Sequence, residues 1–167
     1  MYQTYLITGA TGFLGRAVLQ LLLAHSCRIL ALVMDKDPLA YTIPENVTVF
    51  CGDLTDKDTL RSFFAAGGDN FCVLHCAGLI SIASKPDVAL YAVNVQGTRN
   101  IVDLSWEFGA EKLVYVSSVH AIAEKPAPQT ITEPDHFSPD DILGDYGKSK
   151  AMATALVLKA AQSGLNA

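Results

Sequence analysis

Short unbroken apolar runs alternate with stretches of helical period along the chain. Tyr5–Ile7, Arg28–Met34, Val47–Cys51, Phe71–His75 and Lys112–Val116 are compact runs rich in aliphatic, β-branched and aromatic residues. Runs of this length bounded by turn residues read as strands covered on both faces. Between them, residues 14–25 place Leu14, Val18, Leu21 and Leu22 on one face of a helix. A second helix is predicted over 57–66, stopped by Gly67-Gly68. A long helix is predicted over 86–109, opened by Pro86 and capped by Gly109, with Val88, Tyr91, Ala92, Val95, Val102 and Trp106 at helical spacing. Gly97 in its middle costs about 1 kcal/mol against Ala, which predicts a close approach of another backbone there. A last helix runs over 146–163, with Gly164 as its cap. Residues 119–144, rich in proline and acids, show no period and read as a long loop. Loops of that length in compact domains usually serve function.

The order β-α-β-β-α-β-α-β-loop-α predicts a doubly wound parallel sheet in a single α/β domain over residues 1–167. Right-handed crossovers then gather ligand-binding residues at the carboxyl ends of the strands.

Composition narrows the function classes. The chain has 167 residues, 50% hydrophobic and 17% charged, enough for one ordinary core. A mean hydropathy of +0.28 suits a sheet buried on both faces. The net charge is −5, and the 12 Lys and Arg form no basic stripe, which argues against a nucleic-acid groove. The apolar stretches are too short to span a bilayer, and no basic segment followed by an apolar one opens the chain. The expected setting is the cytoplasm, away from any membrane. Cys27, Cys51, Cys72 and Cys76 form no C-x-x-C pair and are expected to be small buried hydrophobes.

Gly9-x-x-Gly12-x-x-Gly15 joins the first strand to the first helix. Gly9 permits a sharp turn, Gly12 admits a pyrophosphate against the backbone, and Gly15 allows close helix–strand packing. The helix N-terminus adds free N–H groups and the positive end of its dipole. In this context the turn predicts a Rossmann-type dinucleotide site for NAD or NADP. The choice between them falls to Val33, Met34, Asp35, Lys36 and Asp37. Asp35 suits ribose hydroxyls, Lys36 suits a 2′-phosphate, and both also fit a solvated charged turn.

Tyr146 and Lys150 are four residues apart on the last helix and share a face. A phenol with a pKa of roughly 10 is a poor base at neutral pH. A neighbouring ammonium stabilises its phenolate and makes it a usable proton donor and acceptor for an alcohol–carbonyl pair. Lys148 faces away. Ser118, just past the fifth strand, can orient the reacting oxygen.

These pieces together resemble the extended short-chain dehydrogenase/reductase family, also called the NAD-dependent epimerase/dehydratase family. The matching segments run in order: TGATGFLG (8–15), GDL (52–54), HCAGLIS (75–81), NVQGT (94–98), VYVSS (114–118) and YGKSK (146–150). The look is nearest to members of the dihydroflavonol-reductase and 3β-hydroxysteroid-dehydrogenase type. The resemblance implies that Thr11, Gly12, Phe13 and Leu14 line the pyrophosphate, and that Asp53 and Leu54 flank the adenine. It implies that Cys76, Ala77 and Gly78 pass beneath the cofactor ribose, with Asn94 supporting the site. Ser118, Tyr146 and Lys150 are implied as the catalytic group, with Val119 and His120 facing a small-molecule substrate. The acid of NAD-preferring members falls on Val33, and the arginine of many NADP-preferring members falls on Met34. Family members continue with a sixth strand and a smaller substrate-binding lobe, so the 167 residues are expected to be truncated before that lobe. A homodimer through helices 86–109 and 146–163 is implied as well. The leading function is an alcohol–carbonyl oxidoreductase. A nucleotide-sugar epimerase or dehydratase using the same group is the first alternative. A non-catalytic dinucleotide-sensing module is the second, disfavoured because both the tyrosine and the lysine are present.

Overall fold

The computed structural model describes residues 2–81 and 87–167. Five strands form one sheet: β1 (Thr4–Thr8), β2 (Arg28–Val33), β3 (Thr48–Cys51), β4 (Phe71–His75) and β5 (Lys112–Tyr115). All pairings are parallel, in the spatial order β3-β2-β1-β4-β5. The chain winds outward from β1 first one way, then the other, and so creates a crevice between the ends of β1 and β4. Both faces of the sheet are covered. On one side Leu6, Leu30, Leu32 and Val73 pack with Phe63 and Phe64 of α2 (Arg61–Ala65), Ile101 and Leu104 of the long helix, and Val157 of the last helix. On the other, Ile7, Ile29 and Ala31 pack with Leu19 of α1 (Phe13–Leu22). Neighbouring strand residues point to opposite faces, so the middle positions of the central strands are apolar on both faces and their runs read as unbroken.

Helix phases differ from the periodicity reading. Along α1 the inward line is Gly15, Val18, Leu19 and Leu22, whereas Leu14 is 44% and Leu21 70% exposed. Close contact at Gly15 sets that line. The region 57–66 is a 3₁₀ turn, Lys57–Leu60, continued by α2. The long helix is α3 (Val88–Tyr91), a π-helical turn (Ala92–Gly97) and α4 (Thr98–Glu107). Its expected opening residue, Pro86, lies outside the described residues. The buried line is Leu90, Asn94, Gly97, Ile101 and Leu104, at ordinary helical spacing but on a different face from the one expected, so Val88 and Trp106 are exposed. At Gly97 the close neighbour is mainly a side chain: a Cβ there would lie 2.9 Å from Leu54 Cβ.

The outer face of α4 carries Arg99, Asp103, Trp106 and Glu107, and its aliphatic residues are buried within the chain. Asp103 pairs with Lys57 at 3.2 Å, and Glu107 pairs with Arg61. That surface is mostly charged. Cys72 is buried, Cys27 and Cys76 are half-buried, and Cys51 is exposed, contrary to expectation, because its edge strand β3 is thinly covered. Burial pushes the Cys72 thiol up to about 11. The last helix is α5 (Asp145–Gln162). No helix among the described residues is long and apolar enough to cross a membrane.

Candidate active site

The turn after β1 meets the turn after β4 at the crevice. A Cβ at Gly15 would fall 2.0 Å from Gly9 O, and one at Gly9 would fall 2.7 Å from Ala77 N. Only glycines allow α1 to start this close to the sheet. Gly12 is the helix N-cap and offers no side-chain cap, so the first N–H groups of α1 stay open toward a ligand. Beside it lies a cleft of about 250 Å³. Gly9, Thr11, Gly12, Asp53, Leu54, Cys76, Ala77 and Gly78 line it. Thr8, Leu32, Val33, Met34, Asp37, Gly52, Leu79 and Val93 complete the lining. A bare backbone cradle, a helix N-terminus and an apolar slot with a few carboxylates fit a dinucleotide. Phe13 is 99% exposed, so its contribution at the turn is its backbone.

Asp35 lies elsewhere. Its carboxylate is exposed and, among the described residues, pairs with Lys36 at 3.8 Å, also on the surface. Lys36 takes a left-handed conformation, φ 59°, which swings the chain so that Asp37 reaches the cleft instead. Asp37 accepts hydrogen bonds from Thr11 Oγ1 and from Leu39 N, both 2.8 Å. The second bond is the Asx turn that an Asp-Pro pair tends to make. Asp37-Pro38 was the signal that could have picked it out.

Behind the cleft a chain of neutral hydrogen bonds crosses the sheet. His75 is fully buried between two threonines paired through its ring nitrogens: Thr8 Oγ1 at 2.7 Å from Nδ1, Thr98 Oγ1 at 3.1 Å from Nε2. Thr98 Oγ1 donates to Asn94 O at 2.6 Å, so it must accept from His75 Nε2–H. Nδ1 then accepts from Thr8 Oγ1, which itself accepts from Ala77 N. Burial lowers the His75 pKa to about 3, with the Lys150 charge adding to it, so the ring is neutral. Asn94 carries the chain onward from the π turn. Its amide pairs with the Leu79 backbone in both directions, 2.8 and 2.9 Å, and donates to Ser149 Oγ at 3.0 Å. Ser149 Oγ donates to Tyr146 O at 2.7 Å. Asn94 thus lies behind the cleft and ties its Leu79 wall to the start of α5. This role for His75, Thr8, Thr98 and Ser149 was not legible beforehand.

Ser118, Tyr146 and Lys150 come to the same edge. Ser118 caps a 3₁₀ turn, Val119–Ala121, by accepting from His120 N at 3.2 Å. Ser117 is bonded to Thr154 Oγ1 at 2.6 Å. The His120 ring stands edge-to-face with the Tyr146 ring at 5.9 Å. Lys150 is buried, and its Nζ donates to Val116 O at 2.7 Å. Burial pulls its pKa down to about 8. Lys148 is half-buried. Among the described residues, the three catalytic candidates share no direct hydrogen bond. Their placement depends on the backbone: Gly147 lets α5 press against His120 O, where a Cβ would lie at 2.6 Å.

The sequence is 34% identical over 169 residues to a Synechocystis protein provisionally named dihydroflavonol 4-reductase, covering 98% of this chain and 47% of that one. It is 32% identical to 3 beta-hydroxysteroid dehydrogenase type 7 of Rattus norvegicus, covering 93% of this chain and 48% of the relative. The chain therefore spans about half the length of these relatives. Among solved structures, the Thermus thermophilus UDP-glucose 4-epimerase complex with NAD superposes with a TM-score of 0.84 at 28% identity, over 97% of this chain and 52% of that one. The sequence pattern of the NAD-dependent epimerase/dehydratase family matches residues 5–167, and the chain belongs to that family.

Proposed function

We propose that this chain is the dinucleotide-binding part of an NAD-dependent oxidoreductase that interconverts a secondary alcohol and a carbonyl on a small molecule. One observation carries the reading. The glycine-lined cleft and the Ser118–Tyr146–Lys150 edge adjoin, and one hydrogen-bonded chain through Asn94 holds both. The glycine turn and the N-terminus of α1 would hold the pyrophosphate, and Asp53 and Leu54 the adenine end. The bound dinucleotide supplies the hydride acceptor or donor. Tyr146 would pass the proton at its hydroxyl, Ser118 would orient the reacting oxygen, and Lys150 would favour the phenolate by its charge.

Asp37 and Asp53 bring negative charge to the cleft, and among the described residues its lining holds no Lys or Arg. A 2′-phosphate would meet repulsion there, so the reading includes NAD over NADP. Titrating the chain with NADH and NADPH, followed by nicotinamide fluorescence, tests this. Saturable NADH binding with NADPH at least tenfold weaker is expected; equal affinities would overturn the preference, and no binding of either would overturn the site. The likeness to a UDP-glucose 4-epimerase supports a second reading, in which the cofactor is restored within each turnover. Net NADH release during turnover by the whole enzyme separates the two.

A further inference from the structure

We infer that Tyr115 is a positioning residue for Lys150: its ring face, together with the Val116 carbonyl, forms a fixed seat that holds the ammonium beside the cleft. The inference rests on the reading of Lys150 as a site residue, and its test does not. Lys150 leaves α5 and enters the sheet edge where β5 ends. Its Nζ stands 4.4 Å above the centroid of the Tyr115 ring while donating to Val116 O. Among the described residues no carboxylate pairs with it. A buried ammonium without a counter-ion needs other negative potential, and an aromatic face and a carbonyl oxygen are two such sources.

The surroundings isolate the ring as the working part. His75 of β4 packs against the Tyr115 ring, centroids 5.7 Å apart and planes tilted 34°. It is neutral, so it adds no opposing charge. Tyr146, one turn earlier on α5, and His120, edge-to-face with it, are the other titratable groups at this edge among the described residues. Among the described residues the buried Tyr115 hydroxyl makes no hydrogen bond of ordinary geometry. The Thr98 and Thr154 hydroxyls lie near it and donate to Asn94 O and Lys150 O.

The seat has a direct test that does not depend on turnover. Lysine side chains of the 167-residue protein are labelled with ¹³C at Cε, and the Lys150 resonance, assigned with Lys150→Arg, is titrated with pH. Position 115 then carries Phe, 4-fluoro-Phe and pentafluoro-Phe in turn, a series that keeps ring shape while draining negative charge from the ring face. Tyr115→Phe is expected to leave the midpoint in place. Fluorination is expected to lower it stepwise, by about 0.5–1 pH unit across the series. Tyr115→Leu should move it in the same direction. A midpoint that stays within about 0.2 unit throughout the fluorinated series would overturn the seat. Melting curves exclude general loosening, and the ring series stays informative if the Leu variant does not fold. NADH titration of the same samples separates the two claims: a midpoint that moves in a protein that binds no NADH keeps the seat and removes the functional reading.

Discussion

Replacing Asn94 by Ala removes the joint between the cleft wall and α5. The side chain is 2% exposed and makes three hydrogen bonds, two of them to the Leu79 backbone. Truncation strands Leu79 N–H and C=O, whereas Ser149 Oγ keeps its bond to Tyr146 O. A buried polar group left unpaired costs about 1–3 kcal/mol. Leu79 is 39% exposed, so water can reach part of its backbone and the lower end applies. The expected loss is about 2–3 kcal/mol, a fall in Tm of about 4–12 °C for a chain of this size. Asn94→Asp sharpens the test. The aspartate still accepts from Leu79 N but turns an oxygen toward Leu79 O and Ser149 Oγ, so burial and repulsion raise its folded pKa above the unfolded value. The folded state then holds the proton more tightly, and stability falls as pH rises above the unfolded carboxyl pKa. Urea melts of both variants between pH 4 and 8 measure this. An Ala variant within about 0.5 kcal/mol of the parent, or an Asp variant with no added pH slope, would refute the joint.

Asp37→Ala removes the carboxylate facing the β2 end of the cleft and should shift the NADPH-to-NADH affinity ratio toward NADPH by about tenfold, from about 1–2 kcal/mol of relieved repulsion; an unchanged ratio in the fluorescence titration places the ribose elsewhere. His75 has a folded pKa of about 3 against an ordinary 6.5. The unfolded chain therefore takes the proton first, and stability present above pH 6.5 drains away toward pH 3. His75→Gln should lack that share of the acid slope in chemical melts, and identical slopes would show the ring to be solvated. Gly147→Ala adds a Cβ 2.6 Å from both His120 O and Ile142 Cγ2, and overpacking of this kind costs about 1–3 kcal/mol; a parent-like Tm would mean that α5 is not pressed against the 3₁₀ turn.

Strand positions were legible because central strands covered on both faces need apolar side chains at successive positions, and this chain supplies them in short bounded runs. The glycine turn was legible because its spacing follows from sterics alone. Helix phase was not. The π turn at Ala92–Gly97 leaves no trace in the spacing of apolar residues, since what occupies its inner face is polar: Asn94 and Thr98. Counting at 3.6 residues per turn from Val88 picks the wrong face, because the buried line starts at Leu90 and runs through polar Asn94 and through Gly97, so Val88 and Trp106 are exposed. The choice between Asp35 and Asp37 was hidden for a different reason. Two carboxylates two residues apart look alike, and a single left-handed residue, Lys36, decides which one meets Thr11 across 26 positions. The cysteines illustrate the same limit, because burial of Cys51 depends on how well the outermost strand is covered.

The buried polar residues explain why the site survives as a unit. Thr8, His75, Thr98, Asn94 and Ser149 are all nearly inaccessible, a costly choice in a core unless each group is paired. Each is paired, and each donor has one assigned acceptor, so the network admits one arrangement of protons. It links β1 to β4, β4 to the π turn, the π turn to the cleft wall, and the π turn to α5. Apolar packing alone would tolerate small slides among these elements. Directional bonds between uncharged partners do not, and they fix the relative placement of the glycine turn and Tyr146 without setting a competing charge beside Lys150. The π turn is the point where both demands meet. It carries Asn94, whose O accepts from Thr98 Oγ1 and whose amide meets Leu79 and Ser149, so the cleft wall and α5 are joined through one residue.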